Sequence, residues 1–149
     1  MLTFPSLAWF QELVRLMNDN ESAFKRIGYA DVAWAIEVQP SAPGQPSHLF
    51  RFVFADYSCV TVEAITSTSA ADVAFTLQGT YETWKEMIQN IQAHNGPDLA
   101  HSLNRLTLMD DPIYIAATDF LSRDLFARYG QTFQLFFNGA VHIPTEFVA

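Results

Sequence analysis

The segment DVAFTLQGTYETWKEMIQNI, residues 72–91, changes its hydrophobic period in the middle. Its first half alternates apolar and polar residues, with Phe75 and Leu77 on one side, which is typical of a strand with one buried face. After Thr80, apolar residues recur every three or four positions as far as His94, which is the period of an amphipathic helix. The segment therefore predicts a strand that runs directly into a helix, with Thr80 as the N-cap.

Three earlier segments show the same alternation, and we expect them to belong to the same sheet as this strand. Four strands of period two, each with one apolar face, indicate an antiparallel sheet that is covered on one side. Face matching also predicts the register, and it places Arg51 between Glu37 and Glu63 on the outer face. The segments are 31–39, 48–56 and 58–66, and the expected pairs are Phe54 with Val60, Arg51 with Glu63, and Val38 with Phe50.

Helical spacing predicts further elements on both sides of these strands. Two helices are expected before them, and a short helix, a fifth strand and two more helices after the long helix that follows Thr80. Asp110-Asp111-Pro112 is expected to start the last helical region, because aspartate caps a helix and proline suits its first position. The first two helices are expected at about 5–17, capped by Thr3 or Ser6, and at 21–27, closed by Gly28. The short helix is expected at 98–105 and the fifth strand at 106–109 (LTLM). The last helical region is expected at 112–137, with a break near Gly130.

The composition excludes several classes of function. The net charge is −8 and the arginines are scattered, so we expect no nucleic-acid surface and no tight binding to anionic membranes. No run of about 18 apolar residues is present, so we expect no stable insertion into a membrane. With one cysteine and no basic or cleavable leader in the first residues, the chain is expected to be cytoplasmic.

Catalytic and metal sites find little support in the sequence. The pair Asp110 and Asp111 is interpreted as a helix start, and no HExxH, CxxC or EF-hand spacing accompanies it. Cys59 has no obvious histidine partner, so a structural role is expected. His101 remains a candidate base on an otherwise ordinary segment. We therefore expect no catalytic residues, no metal and no cofactor.

The C-terminal segment from Phe120 to Phe137 contains more large apolar side chains than a helix needs to cover one sheet face. Three interpretations remain open: ordinary core packing, an apolar pocket or tunnel between the segment and the sheet, and a dimer interface.

The order of elements resembles the sterol carrier protein 2 (SCP2-like) family over roughly residues 31–137. VAFTLQ is similar to the family's strand before a Thr/Ser-x-x-x-Trp/Leu helix, and LTLMDD to the strand and Gly-Asp turn before its last helix. This chain has Asp110 where the family often has glycine. By position, Asp111 would be the turn aspartate.

The resemblance implies one α+β domain over residues 1–149, with a five-stranded, mainly antiparallel sheet and helices packed over one face. It also implies an internal apolar tunnel for fatty acyl chains, sterols or isoprenoids. The residues that would line this tunnel are Trp84, Ile88, Phe120, Leu121 and Phe126.

We therefore expect a non-enzymatic carrier or presenter whose partner is an apolar small molecule or lipid. The alternative is a non-catalytic interaction or dimerisation module that uses the aromatic C-terminal helices, and a homodimer is compatible with both. A third hypothesis is a small enzyme that uses His101 or an aspartate as its base.

Overall fold

The computed structural model describes residues 1–67 and 72–149. Six α-helices and seven strands lie within these residues, and a short 3-10 turn, Gly139–His142, precedes the last strand. The elements in chain order are β1 (Leu2–Phe4), α1 (Leu7–Asn18), α2 (Glu21–Ile27), β2 (Val32–Gln39), β3 (His48–Ala55), β4 (Ser58–Ile65), β5 (Phe75–Thr80), α3 (Tyr81–His94), α4 (Leu103–Thr107), β6 (Tyr114–Ala116), α5 (Phe120–Arg128), α6 (Gly130–Asn138) and β7 (Thr145–Phe147).

The main sheet has five strands in the order β4-β3-β2-β5-β6. All neighbouring pairs in it are antiparallel except β2 and β5, which run parallel at its centre. A second, two-stranded sheet pairs β1 with β7. The predicted fold class, an α+β domain with a five-stranded and mainly antiparallel sheet, is confirmed.

Capping residues explain where the long helices begin. The Ser6 side chain accepts a hydrogen bond from the Trp9 backbone N–H at the start of α1, as predicted. Thr80 does the same for Thr83 N at the start of α3, directly after β5. The change of period at Thr80 thus marks the junction of strand and helix, and this prediction is confirmed.

The register of the sheet follows the prediction in part. Arg51 lies opposite Glu63, with 3.8 Å between the guanidinium and the carboxylate. The expected pairing of Phe54 with Val60 is wrong, because a β-bulge next to Phe54 places Cys59 opposite it. Val60 is the extra residue of the bulge, and 62% of it is exposed.

The pairing of Val38 with Phe50 is also wrong. Val38 lies opposite His48, so Glu37 faces Leu49 and does not lie beside Arg51. A shift of two residues leaves every side chain on its original face, and matching of apolar faces cannot distinguish the two registers. The Glu37 carboxylate instead accepts hydrogen bonds from neighbouring polar side chains, those of Ser47 and Gln78.

The largest corrections fall between the third helix and the C-terminal helices. The expected strand 106–109 is wrong, since α4 runs through Thr107 with Ser102 as its N-cap and with Leu103 and Leu106 buried. The fifth strand is β6, eight residues later, and it pairs with β5. The expected short helix at 98–105 begins later than predicted, at Leu103.

Asp110-Asp111-Pro112 does not start a helix. Asp110 has a φ of 58°, and the chain then enters β6. The C-terminal helical region begins at Phe120, and Asp119 caps it by accepting a hydrogen bond from Ser122 N at 2.7 Å. The predicted break near Gly130 is confirmed, because α5 ends at Arg128 and α6 starts at Gly130.

The core lies between the inner face of the sheet and the helices α1, α3 and α6. Its centre is the fully buried Trp34 ring on β2, which six phenylalanine rings surround. The rings around Trp34 are those of Phe52, Phe54, Phe75, Phe133, Phe136 and Phe137.

No helix among residues 1–67 and 72–149 is both long and apolar enough to cross a membrane.

Candidate ligand-binding site

Helix α5 packs on β5 and α6 at one end of the sheet, and it exposes apolar side chains. All nine of its residues are described, and Phe126 is the one that is buried. Phe120 and Leu121 in its first turn are 77% and 79% exposed. Large apolar side chains are seldom so exposed in clusters on a monomer without a binding role.

A groove with a cavity volume of about 200 Å³ lies between α4, β6 and α5. Its walls include the side chains of Leu108, Ile115, Phe120 and Phe126, and polar residues such as Asn104 and Arg123 form part of its rim. The exposed residue Met109 follows Leu108 in the chain, so apolar surface continues beyond the groove itself.

Phe126 connects this groove to the centre of the core. Its ring is nearly parallel to that of Phe133, with centroids 5.5 Å apart, and it meets Phe75 edge-on at 5.7 Å. Both of these rings in turn contact Trp34, at 6.1 Å for Phe75 and 4.9 Å for Phe133. A single ring therefore separates Phe126 from the centre of the core.

A polar latch, formed by Arg123 and Asp110, holds α5 to the chain that precedes it. Arg123 Nη2 donates to Asp110 Oδ1 at 2.6 Å, and Arg123 Nη1 donates to the Ile115 carbonyl oxygen. The hydrogen bond and the charge of Arg123 lower the pKa of Asp110. Because both side chains are about one third exposed, the latch contributes modestly to stability.

The predicted ligand-binding residues fall into two groups. Phe120 and Phe126 line the same groove, and Leu121 lies exposed beside them on α5. Trp84 and Ile88 lie on α3 and are fully buried, where Trp84 stacks on a ring of α6 and donates its indole N–H to the Glu37 carbonyl oxygen. The structure does not bring these two into the groove, and a ligand contact for any of the five stays a prediction.

The lining of the groove includes residues beyond the predicted Phe120 and Phe126, among them Leu108, Ile115 and the latch residue Arg123. The sequence predicts a strand at Leu108 and a helix at Ile115, whereas Leu108 directly follows α4 and Ile115 lies on β6. The signal for Arg123 was its spacing from Asp119, which places it in the first turn and a half of a capped helix. The sequence interprets its partner Asp110 as part of a helix start, and that interpretation does not predict the ion pair.

A second and larger groove, with a cavity volume of about 500 Å³, lies between the end of α1, α2, α6 and the 3-10 turn. Apolar residues such as Leu16 and Phe24 share its walls with several polar side chains. Among these are Asp19, Asn20, Asn95, Asn138 and His142. The groove at α5 also has a mixed lining, and it is the candidate site because the exposed Phe120 and Leu121 lie at it.

The residues considered for catalysis lie in structural settings. Burial raises the pKa of the Cys59 thiol to about 11, so it is protonated at neutral pH. His101 contacts the carboxylates of Asp98 and Glu86, and these hydrogen bonds raise its pKa. Within the described residues, no group of three or more His, Cys, Asp and Glu side chains is arranged to hold a metal ion.

Neither a family model nor a curated protein sequence matches the chain. In contrast, several solved structures match the chain. A crystal structure of sterol carrier protein 2 superposes with a TM-score of 0.68 at 16% identity, over 91% of this chain and 95% of the other. The chain has an SCP2-like fold.

Two further structures support the SCP2-like fold. A solution structure of a conserved hypothetical protein from Thermus thermophilus gives a TM-score of 0.66 at 18% identity, over 93% of this chain and 88% of the other. The apo form of sterol carrier protein 2 from Yarrowia lipolytica gives 0.51 at 8% identity, over 90% of both chains. At such identities the likeness establishes the fold, and function has to be argued from the residues of this chain.

Proposed function

We propose that the chain acts over residues 1–149 as a single SCP2-like domain that binds an apolar ligand of the fatty acyl, sterol or isoprenoid type. The observation that carries the proposal is the exposure of Phe120 and Leu121 on α5, a helix that is anchored in the core by Phe126. Two of the similar structures are named sterol carrier protein 2, and this name supports the same class of ligand.

In this proposal Phe126 acts as a plug. When α5 moves away from β5, the ring leaves its place between Phe75 and Phe133, and an apolar chain enters there from the groove. Withdrawal of a phenylalanine gives up about 1.5–3 kcal/mol of burial, and each methylene of a ligand regains about 0.8 kcal/mol. A chain that buries more than about four methylenes therefore compensates for the loss of the plug.

The proposed role is that of a carrier or presenter without catalysis, in the cytoplasm. Two charged residues line the groove, Asp124 and Arg123, and Arg123 is paired with Asp110 outside the lining, while the Cys59 thiol is protonated. Binding would then rest on desolvation of the ligand, which needs few directed polar contacts.

A fluorescence titration tests the proposal. The protein is stripped of lipid under conditions that preserve its fold and is titrated with an environment-sensitive fatty acyl probe. We expect saturable binding by the wild type and a several-fold weaker affinity for the double variant Phe120→Ser/Leu121→Ser. Val60→Ser is the control, because it removes another exposed apolar side chain from β4 at the opposite edge of the sheet.

Failure of the folded, lipid-free wild type to bind the probe would contradict the carrier proposal. A second candidate, an interaction or homodimerisation module, is favoured by the exposed side chains of Leu108, Met109, Phe120 and Leu121. Sedimentation velocity over a range of concentrations tests it. A dimer that the Phe120→Ser/Leu121→Ser variant abolishes, together with absence of probe binding, would favour this second function.

A further inference from the structure

The three tryptophans of the chain are all buried, but their indole N–H groups differ. Trp9 donates to the Thr145 hydroxyl at 3.0 Å, and Trp84 donates to the Glu37 carbonyl oxygen at 3.1 Å. Trp34 is fully buried, and its Nε1 has no hydrogen-bond partner among residues 1–67 and 72–149. A buried donor without an acceptor bears its full desolvation cost, so such a group needs an explanation.

The neighbours of Trp34 do not provide a strong acceptor. The surrounding side chains are rings, and two of them, Phe54 and Phe136, meet the indole at 80° and 83°. The face of a ring can accept an N–H only weakly. An oxygen atom that reached the indole would therefore replace such a contact with a stronger hydrogen bond.

The plug gives a ligand access to this position. Phe126 contacts Phe75 and Phe133, and both of these rings contact Trp34. A ligand that takes the place of the Phe126 ring therefore ends one ring away from the indole. To reach Trp34 Nε1, its leading atoms would also have to displace the ring of Phe75 or Phe133.

We propose that the indole N–H of Trp34 is the polar contact that selects the ligand, an inference that rests on the proposed function. The ligand is then an apolar chain or ring system that carries an uncharged oxygen acceptor, such as a hydroxyl or an ester carbonyl. An ionised carboxylate fits less well, because the six rings around Trp34 offer no cation to compensate its desolvation. A pure hydrocarbon gains nothing from the N–H.

A competition experiment with matched ligands tests the inference. 1-Dodecanol, dodecane and dodecanoate, each delivered from the same cyclodextrin, displace an uncharged environment-sensitive probe from the lipid-free protein. We expect the alcohol to bind better than dodecanoate. In Trp34→Phe its affinity relative to that of the alkane should fall by about three- to tenfold, because one hydrogen bond is lost. Trp9→Phe is the control that removes an indole N–H at a distant hydrogen bond, and it should keep the alcohol-to-alkane affinity ratio of the wild type.

The indole resonances of the wild type give a second readout that needs no variant. In protein labelled with ¹⁵N-tryptophan, the Trp34 N–H signal should move downfield when the alcohol binds and should not do so with the alkane. The signals of Trp9 and Trp84, which already have acceptors, should stay nearly unchanged in both cases. This measurement decides the question even if Trp34→Phe fails to fold.

The outcomes separate the inference from the proposed function. An alcohol-to-alkane affinity ratio that is the same in the wild type and in Trp34→Phe, with no downfield movement of the Trp34 signal, overturns the inference and leaves the apolar-ligand proposal standing. If the probe itself does not bind to folded, lipid-free protein, both fail. A fall of this ratio in Trp34→Phe but not in Trp9→Phe, together with the downfield movement, supports the inference.

Discussion

Two consecutive helices of equal length, α5 and α6, are held to the molecule in different ways. Helix α6 buries Thr132, Phe133, Phe136 and Phe137 against the sheet, whereas α5 buries Phe126 and exposes an apolar first turn. The aromatic excess of the C-terminal segment is thus divided between the two helices. On α6 it is core, and on α5 it forms surface that a ligand or a partner would cover.

The largest expected effect comes from Phe136→Ala on α6. This ring is buried and contacts Trp34, Phe52 and Phe54, so the truncation should lower the free energy of unfolding by about 3–5 kcal/mol. Urea denaturation measures the loss. Phe126→Ala on α5 is the matched variant, and it should cost less and alter the chain-length preference of the probe. Equal costs for the two variants would show that α5 is as firmly held as α6.

An intermediate effect is expected when the latch is removed. In Arg123→Gln the amides of α5 should exchange their hydrogens several-fold faster while those of α6 keep their rates, since α5 loses its ionic contact with Asp110. Hydrogen-exchange mass spectrometry measures both helices in one experiment. Arg128→Gln serves as the control, because this exposed arginine lies on the same helix outside the latch.

The latch also has a predictable pH dependence. The pKa of Asp110 is lower in the folded protein than its ordinary value, so the contribution of the latch is complete above that ordinary value. It is lost as the pH falls through the lowered pKa. Exchange rates of α5, corrected for the intrinsic effect of pH, should therefore be constant near neutrality and rise only in acid, and a rise near neutral pH would contradict this assignment.

A smaller effect is expected at the helix cap. Asp119 accepts from the Ser122 backbone N–H and begins α5, so Asp119→Ala should loosen the first turn of that helix. Asp111→Ala should have little effect, because Asp111 does not cap a helix in this structure. Amide exchange at the first turn of α5 distinguishes the two variants, and the reverse order would restore the helix start predicted at Asp110-Asp111-Pro112.

The smallest effect is expected for Cys59→Ala, which should leave probe binding unchanged. Burial raises the pKa of this thiol from 9.0 to about 11, so the native protein should react slowly with a thiol reagent at pH 8. The related contribution to stability is complete below the pKa of the unfolded chain and is lost as the pH rises towards about 11. Rapid reaction of the folded protein at pH 8 would revive a nucleophilic role.

The sequence predicted the elements that carry a long periodic pattern. Helices α1 and α3 and strands β2 to β5 repeat a period of 3.6 or 2 over several turns or pleats, and their caps are local. Residues 98–119 offer no such pattern. Strand β6 has three residues and exists because β5 offers it a free edge, which no local signal reveals.

Short polar motifs were ambiguous for a chemical reason. A carboxylate that accepts backbone N–H groups at a helix start and one that accepts from an arginine use the same oxygen atoms, so Asp110 and Asp119 look alike in sequence. The outward orientation of Phe120 and the missing acceptor of Trp34 depend on neighbours distant in the chain. These features, which carry the proposals, could be found only in the folded structure.

The pairing of β1 with β7 has a consequence for the order of folding during synthesis. Leu2 lies beside Thr145, and the Trp9 indole of α1 donates to that same threonine, so the first helix depends on residues made more than a hundred positions later. Contacts of such long sequence separation form late, because the intervening chain must first be ordered. We therefore expect β1 and the Trp9 end of α1 to be fixed only after residue 147 has left the ribosome, whereas Phe10 of α1 can pack on Phe50 and Phe52 of β3 before that.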